Sequence, residues 1–390
     1  MKDFRSQVES LYPEMVAQRR DFHRYPEIAF EEMRTAGIVA QQLAELGLEV
    51  QTGVGQTGVV AVLEGRQHGP TVLVRCDMDA LPIQEENQTE YVSRNTNRMH
   101  ACGHDGHMTI VLAVAKALVR EREHMHGQVK FLFQPAEEIA AGAKAMISDG
   151  ALDYPKPDVS LGLHLWNELP LGTVALVPGP MMAGADLFQV KITGKGGHAA
   201  MPNLAVDPLL TAAHVITALQ SIVSRNVAPQ DVAVVSVTRL DTGDAFNVIP
   251  DSVTLYGTIR TFRKEVREHI VDRFQAILDG VVTAMGCHAE IDIQALTTPV
   301  INDPAIIEQL RTGFASVAPD LAYRDDVNSM ASEDMALILE RVPGVFFFVG
   351  SANAERGLNY PHHHPRFDFD EKALVIGASL LASAVSAYVL

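Results

Sequence analysis

Of the 390 residues only three are cysteine (Cys76, Cys102 and Cys287), too few and too scattered for a disulfide framework. Basic charge is also scarce: 31 Lys and Arg stand against 48 Asp and Glu, a formal net charge of −17. No Lys/Arg cluster offsets it, so neither nucleic acid nor a membrane is expected as a partner, and the charge mainly favours solubility. The opening residues, Met1-Lys-Asp-Phe-Arg, lack the apolar core of a signal peptide, which makes the cytoplasm the expected compartment. One apolar run, Leu374 to Leu390, raises a transmembrane question. It is short, carries Gly377, Ser379, Ser383 and Ser386, and has no basic residue after it, so a core helix is expected. The chain has no internal repeat and no low-complexity linker.

The length exceeds what one compact core takes and predicts about two or three domains. Helical spacing runs over 5–22 and 31–47, the second ending at Gly47 as a C-cap, with a turn at His23-Arg-Tyr-Pro26-Glu27 between them. Short buried strands are expected at 59–63 and 71–75, then helix 106–122, strand 128–133, helix 139–148 and strand 158–163. That alternation predicts an α/β domain, a mostly parallel sheet covered by helices on both faces. Near Pro178-Gly-Pro180 the rhythm changes to strand 187–193, a glycine-rich loop, helix 207–224, strands 231–239 and 251–260, helix 264–285 and strand 288–293. This β-α-β-β-α-β order is that of a ferredoxin-like α+β sandwich. The α/β rhythm then resumes with helices 304–317 and 333–341, strand 345–349 and helix 370–389. The expected organisation is a discontinuous domain, 1–183 with 297–390, interrupted by an insert at 184–296.

The densest chemistry lies in His100-Ala-Cys102-Gly-His104-Asp105-Gly-His107, where an extended approach gives way to the apolar run Thr109–Val119. Zinc- and manganese-type cations take such nitrogen, sulfur and oxygen ligands. Sites in open α/β sheets form at the carboxyl ends of strands. Polar groups follow other strands of the predicted sheet at Arg75-Cys-Asp77-Met-Asp79, Gln134-Pro-Ala-Glu137-Glu138, Gly162-Leu-His164 and His362-His363-His364. Taken singly, the Glu pair could be a solvated helix start, His164 a satisfied core histidine, and the three His a surface loop. Together they supply Cys, His, Glu, His and His at the strand ends of one sheet.

These residues carry a family resemblance over nearly the whole chain. The sequence resembles the zinc-peptidase family of aminoacylases and glutamate carboxypeptidases, in the branch of hippurate hydrolases and indole-acetyl amino acid hydrolases. The motifs are D-M-D-A-L-P from Asp77, H-A-C-G-H-D-x-H from His100, Q-P-A-E-E from Gln134, G-L-H from Gly162, G-x-G-G-H-A-A-x-P from Gly194, N-V-I-P from Asn247, Ser332-Glu333-Asp334, and H-x-P-x-F from His363. The resemblance implies a two-metal site held by Cys102, His104, Glu138, His164 and His363, with Cys102 bridging. His363 is preferred to His362 and His364 because it opens H-x-P-x-F. Glu137 resembles the general base and Asp79 a carboxylate that fixes ligand orientation, with Asp77 and Asp105 weaker candidates for that duty. His198, in the insert, would donate to the oxyanion across a homodimer, and Asn247 and Arg260 resemble the groups that hold the substrate carboxylate. A thiolate favours zinc, with manganese, cobalt and nickel also open.

The expected activity is metal-dependent hydrolysis of an N-acyl amino acid, a small molecule, to a carboxylic acid and a free amino acid. Its rivals are a carboxypeptidase or dipeptidase on the same scaffold and a non-catalytic metal-binding or sensing module. Asp77 stands where the carboxypeptidase branch has His, which weighs against the first rival.

Overall fold

The computed structural model describes residues 4–390, which form two compact units: 4–181 with 301–328 and 334–390, and 182–300 with 329–333. The first unit is built on an eight-stranded sheet in the order Glu49–Val54, Gly58–Glu64, His126–Gln134, Gln67–Asp77, Val159–Pro170, Gly344–Ala352, Thr173–Ala175 and Ala322–Arg324. The four strands from His126–Gln134 to Gly344–Ala352 run parallel. Such strands read as continuous apolar runs because both faces are covered. Gly344–Ala352 is buried along its whole length except Ala352. An antiparallel hairpin, Glu49–Val54 with Gly58–Glu64, completes one edge.

Helix His104–Val119 is apolar nearly all round, and all of it except Lys116 and Val119 is buried. A helix of that kind must lie inside the fold. The C-terminal helix Lys372–Val389 is long and apolar enough to cross a membrane by length and composition, yet most of it is buried against helix His104–Val119, helix Pro304–Val317 and the sheet. It is a core helix, as its small residues imply.

The second unit is a four-stranded antiparallel sheet in the order Ala233–Asp241, Ser252–Thr261, Gly184–Thr193, His288–Thr297. Ser252–Thr261 alternates strictly between half-buried and buried, with period two, so one face is apolar. Helices Pro208–Ser221 and Lys264–Ala284 cover that face. The longer helix buries every fourth residue, Val266, Ile270, Phe274, Leu278 and Val282, the spacing that keeps side chains on one stripe. Asp207 caps the shorter one by accepting from the amides of Leu209 and Leu210.

Several local expectations are corrected. The helix expected over 5–22 is two helices, Phe4–Glu9 and Tyr12–Arg24, because Pro13 lacks an amide donor and fits only a helix's first turn. The helix expected from 139 starts at Gly142. Residues 137–140 are turn instead, with Ala136 and Ala140 both at φ 52°. The strand expected to end at Leu163 continues to Pro170, although its pairing with Gln67–Asp77 stops at Gly162. Strand Glu49–Val54 was not foreseen, since its polar residues show no clear alternation.

Candidate metal centre

Cys102 and His104 stand at the start of the buried helix His104–Val119, behind Gly103, whose φ of 90° is left-handed and suits glycine. Glu137 and Glu138 lie in the turn after strand His126–Gln134. His164 sits two residues beyond the last paired residue of its strand with Gln67–Asp77. His362–His364 follow the last parallel strand, and the His363 amide donates to the Ala101 carbonyl at 2.8 Å. Five positions distant in sequence thus meet at one end of the parallel sheet.

The donor atoms of Cys102, His104 and His164 lie within 4.8 Å of one another, and so do those of Cys102, Glu138 and His363. Cys102 is common to both groups. Its Sγ is 3.5 Å from His164 Nε2, and His363 Nε2 is 3.2 Å from Glu138 Oε2. Glu137 groups with His104 and Glu138 within the same span. His104 Nδ1 donates to the Asp79 carbonyl at 2.8 Å, so Nε2 faces the cluster. There His104 Nε2 and Glu138 Oε1 are buried, 3.8 Å apart, and without a hydrogen-bond partner. Unpartnered buried polar atoms cost roughly 1–3 kcal/mol each. A divalent cation held by these residues would remove that cost, and the donor set of one thiol, one carboxylate and three imidazoles is chemically suited to one.

A further group, Asp77, His104 and His107, differs from these in both composition and bonding. His107 Nδ1 donates to Asp77 at 2.6 Å, and its Nε2 accepts from the Leu165 amide at 2.9 Å, so both ring nitrogens are used. Asp77 also takes Arg75 Nη1 at 2.9 Å. This group is closed by its own hydrogen bonds and holds the strand that carries His164. His107 was missed as a positioning group, although it lies three residues after His104 on the same helix, a spacing that shares a face.

Electrostatics reflect the crowding. Burial, with the Glu138 and Glu137 carboxylates, pushes the Cys102 thiol well above its usual range. Burial holds His164 well below the usual imidazole range, with His107 adding to the effect. Burial alone would lower His104 as well, but the Asp77, Asp79 and Glu138 carboxylates raise it to about 10.

Asp79 acts on backbone. Its two carboxylate oxygens accept from the amides of Glu137 at 3.0 Å and Glu138 at 3.1 Å. Asp105 faces away from the cluster and pairs with Arg19 and His23. Of the three consecutive histidines, His364 stacks on Tyr360. His362 Nδ1 lies 3.8 Å from Cys102 Sγ, while its Nε2 accepts from the Asn167 amide.

Within the second unit, His198 and Asn247 come together. Gly197–His198 pairs antiparallel with Val248–Ile249, and the Ala199 amide donates to the Asn247 carbonyl. Both side chains are exposed. His198 Nδ1 accepts from the Ala200 amide at 3.0 Å, which places the ring proton on Nε2. Arg260 is half-buried near the end of strand Ser252–Thr261, and its Nη1 donates to Ser332 Oγ at 2.6 Å. Met181 and Met182 are buried, and Met181 Sδ contacts the buried Asn302 amide.

Fold and donor set together define an α/β protein with a cation-binding centre at the end of a parallel sheet. The chain belongs to peptidase family M20/M25/M40, whose description matches residues 73–387. It is 40% identical over 384 residues to an IAA-amino acid hydrolase of Arabidopsis thaliana, covering 96% of this chain and 86% of that one. It is 37% identical over 374 residues to the N-acetylcysteine deacetylase of Bacillus subtilis, covering 96% of each. Among solved structures it resembles a dinuclear metal-binding peptidase of family M20 from Bacillus subtilis, with a TM-score of 0.84 and 33% identity over 96% of this chain and 98% of the other.

Proposed function

We propose that this protein is a metal-dependent amidohydrolase that cleaves N-acyl amino acids to a carboxylic acid and a free amino acid. The observation that carries the reading is the meeting of Cys102, His104, Glu138, His164 and His363 around two buried atoms that lack partners. We assign those five as the ligands of two divalent cations, zinc being the first to test because of the thiolate. His363 is preferred because its Nε2 faces Glu138, while His362 Nε2 is already used by Asn167 and His364 stacks on Tyr360. When bound, such a pair supplies Lewis acidity toward an amide carbonyl and makes water a nucleophile at neutral pH.

The chain's own groups perform the rest. Glu137 takes the proton of the attacking water and returns it to the departing amine nitrogen. Asp79 holds the Glu137–Glu138 turn through both amides, so the base and its neighbouring ligand move as one. His198, with its proton on Nε2, donates to the oxygen that gains charge when the amide carbonyl becomes tetrahedral. Asn247 and Arg260 hold the substrate's free carboxylate. The catalytic unit is 1–183 with 297–390, and the insert 184–296 serves as lid and dimerisation domain in a cytoplasmic homodimer.

The relatives' printed activities, hydrolysis of IAA-amino acids and deacetylation of N-acetylcysteine, support an acyl-amino acid substrate. Asp77, at the position where the carboxypeptidase branch has His, supports the aminohydrolase reading. The test is a panel of benzoylglycine, acetyl amino acids and unblocked dipeptides after reconstitution with zinc, manganese, cobalt and nickel. Acyl amino acids are expected to turn over fastest; clear preference for dipeptides overturns the reading.

A further inference from the structure

Arg260 lies on the face of its sheet opposite the two helices, among the half-buried positions of strand Ser252–Thr261. A guanidinium in such a place normally finds a carboxylate. Here the carboxylate whose charge acts on it is Asp186, and Arg267 already grips that one through Nε and Nη2 at 2.5–2.9 Å. The direct partner of Arg260 is instead a neutral hydroxyl, Ser332 Oγ, at 2.6 Å. A neutral acceptor orients a guanidinium without cancelling its charge and leaves four of its five donors for an incoming anion. Burial moreover disfavours the bare cation, and lowers the Arg260 pKa from the usual arginine range, so an anion gains by arriving.

Ser332 is itself fixed. It belongs to a five-residue strap, 329–333, that packs in the second unit. The Ala183 amide donates to the carbonyls of Ser329 at 3.0 Å and Ala331 at 3.1 Å. Two residues further on, Asp334 is locked in the first unit by Arg75, Gln134 and the Ala143 amide. The strap is therefore anchored by hydrogen bonds at Ser329 and Ala331, immediately before the residue that carries the hydroxyl.

We propose that Ser332 is a positioning residue that aims Arg260 at the carboxylate of the substrate and so sets the requirement for a free acid on the amino-acid side. The inference rests on the proposed reading of Arg260 as the carboxylate group. It explains the serine of the Ser332-Glu333-Asp334 motif, to which the reaction gives no chemical task.

The test compares an N-acetyl amino acid with its carboxamide on the metal-loaded protein, by KM and kcat. Binding to the Glu137→Ala holoprotein, measured by calorimetry, gives the same comparison without turnover. Ser332→Ala is expected to weaken the carboxylate ligand roughly tenfold, the scale of one hydrogen bond to a charged group, with kcat within about twofold. The carboxamide should be unaffected, and Ser332→Thr, which keeps the hydroxyl, should restore binding. Adding Ser332→Ala to Arg260→Ala should cost nothing further, because the serine acts through the arginine. Equal weakening of acid and carboxamide overturns the proposal. If Arg260→Ala weakens the acid and Ser332→Ala does not, the serine's role falls and the reading of Arg260 stands. If Arg260→Ala leaves the preference for the acid intact, both fall.

Discussion

His104 and Glu137 show how much depends on which atom a side chain offers. His104 spends Nδ1 on the Asp79 carbonyl, which turns Nε2 inward, and Glu137 stands beside Glu138 with its amide held by Asp79. The two neighbouring roles are separable by experiment. Cys102→Ala removes the atom common to both ligand groups, so metal content by elemental analysis should fall together with activity; full occupancy in that variant would refute a bridging thiolate. Glu137→Ala should leave metal in place and lower kcat by roughly two to four orders of magnitude, the usual scale of general acid–base catalysis. Unchanged turnover would leave only a binding module. The five proposed ligands could be named from sequence because the motifs that carry the family resemblance contain them. The closure of Asp77 by Arg75 and His107 could not, since it depends on ring orientation and on the register that brings the Leu165 amide to His107.

Elements are tied to one another by a few buried contacts. The turn at 135–141 is one: a Cβ at Gly142 would meet the Pro135 carbonyl oxygen at 1.6 Å. No L side chain fits there without moving the backbone. Gly142→Ala should therefore cost roughly 2–4 kcal/mol, read as a lower midpoint in urea, and should also lower activity through the displaced Glu137–Glu138 turn. The helix expected at 139–148 missed this because the alanine-rich stretch looks helical, whereas the Asp79 carboxylate claims the amides of Glu137 and Glu138 that a helix start would present.

A second tie joins helix Tyr12–Arg24 to helix His104–Val119 through His23 and Asp105 at 2.7 Å. Burial and Arg19 oppose protonation of His23, but Asp105 and Glu85 outweigh them and raise its pKa from 6.5 to about 9. A folded-state pKa above the unfolded one adds stability that is complete below about 6.5 and is lost as pH rises through about 9. Wild-type stability should fall across that window by on the order of 3 kcal/mol more than that of His23→Gln. Parallel curves for the two proteins would show that the charge on His23 contributes nothing.

At the scale of the whole molecule, the chain is an α/β unit interrupted by an α+β unit, with five residues of the resumed chain, 329–333, packed in the second. The proposed homodimer makes a direct demand on that organisation. If His198 serves the partner's centre, mixed dimers of His198→Ala and Glu137→Ala chains should regain part of the activity both parents lack, since one of the two centres is then complete. No recovery in the mixture would place His198 in its own chain's site. The longer strands and helices were legible in order, because hydrophobic period follows directly from residue identity, whereas Glu49–Val54, Thr173–Ala175 and Ala322–Arg324 carry too short or too polar a pattern to show it. Chain order alone also gave the interruption near Pro178-Gly-Pro180. What sequence by itself determined here is the repertoire: two element rhythms, the motifs that carry a family resemblance, and the side chains proposed for metal and acid–base chemistry. Tertiary structure alone decided the bonding: that Asp79 grips backbone, that His107 closes on Asp77, that His362 and His363 face different partners, and that Arg260 meets a serine. Those outcomes turn on side-chain torsions and on contacts between segments up to hundreds of residues apart, which the linear order of the chain does not encode locally.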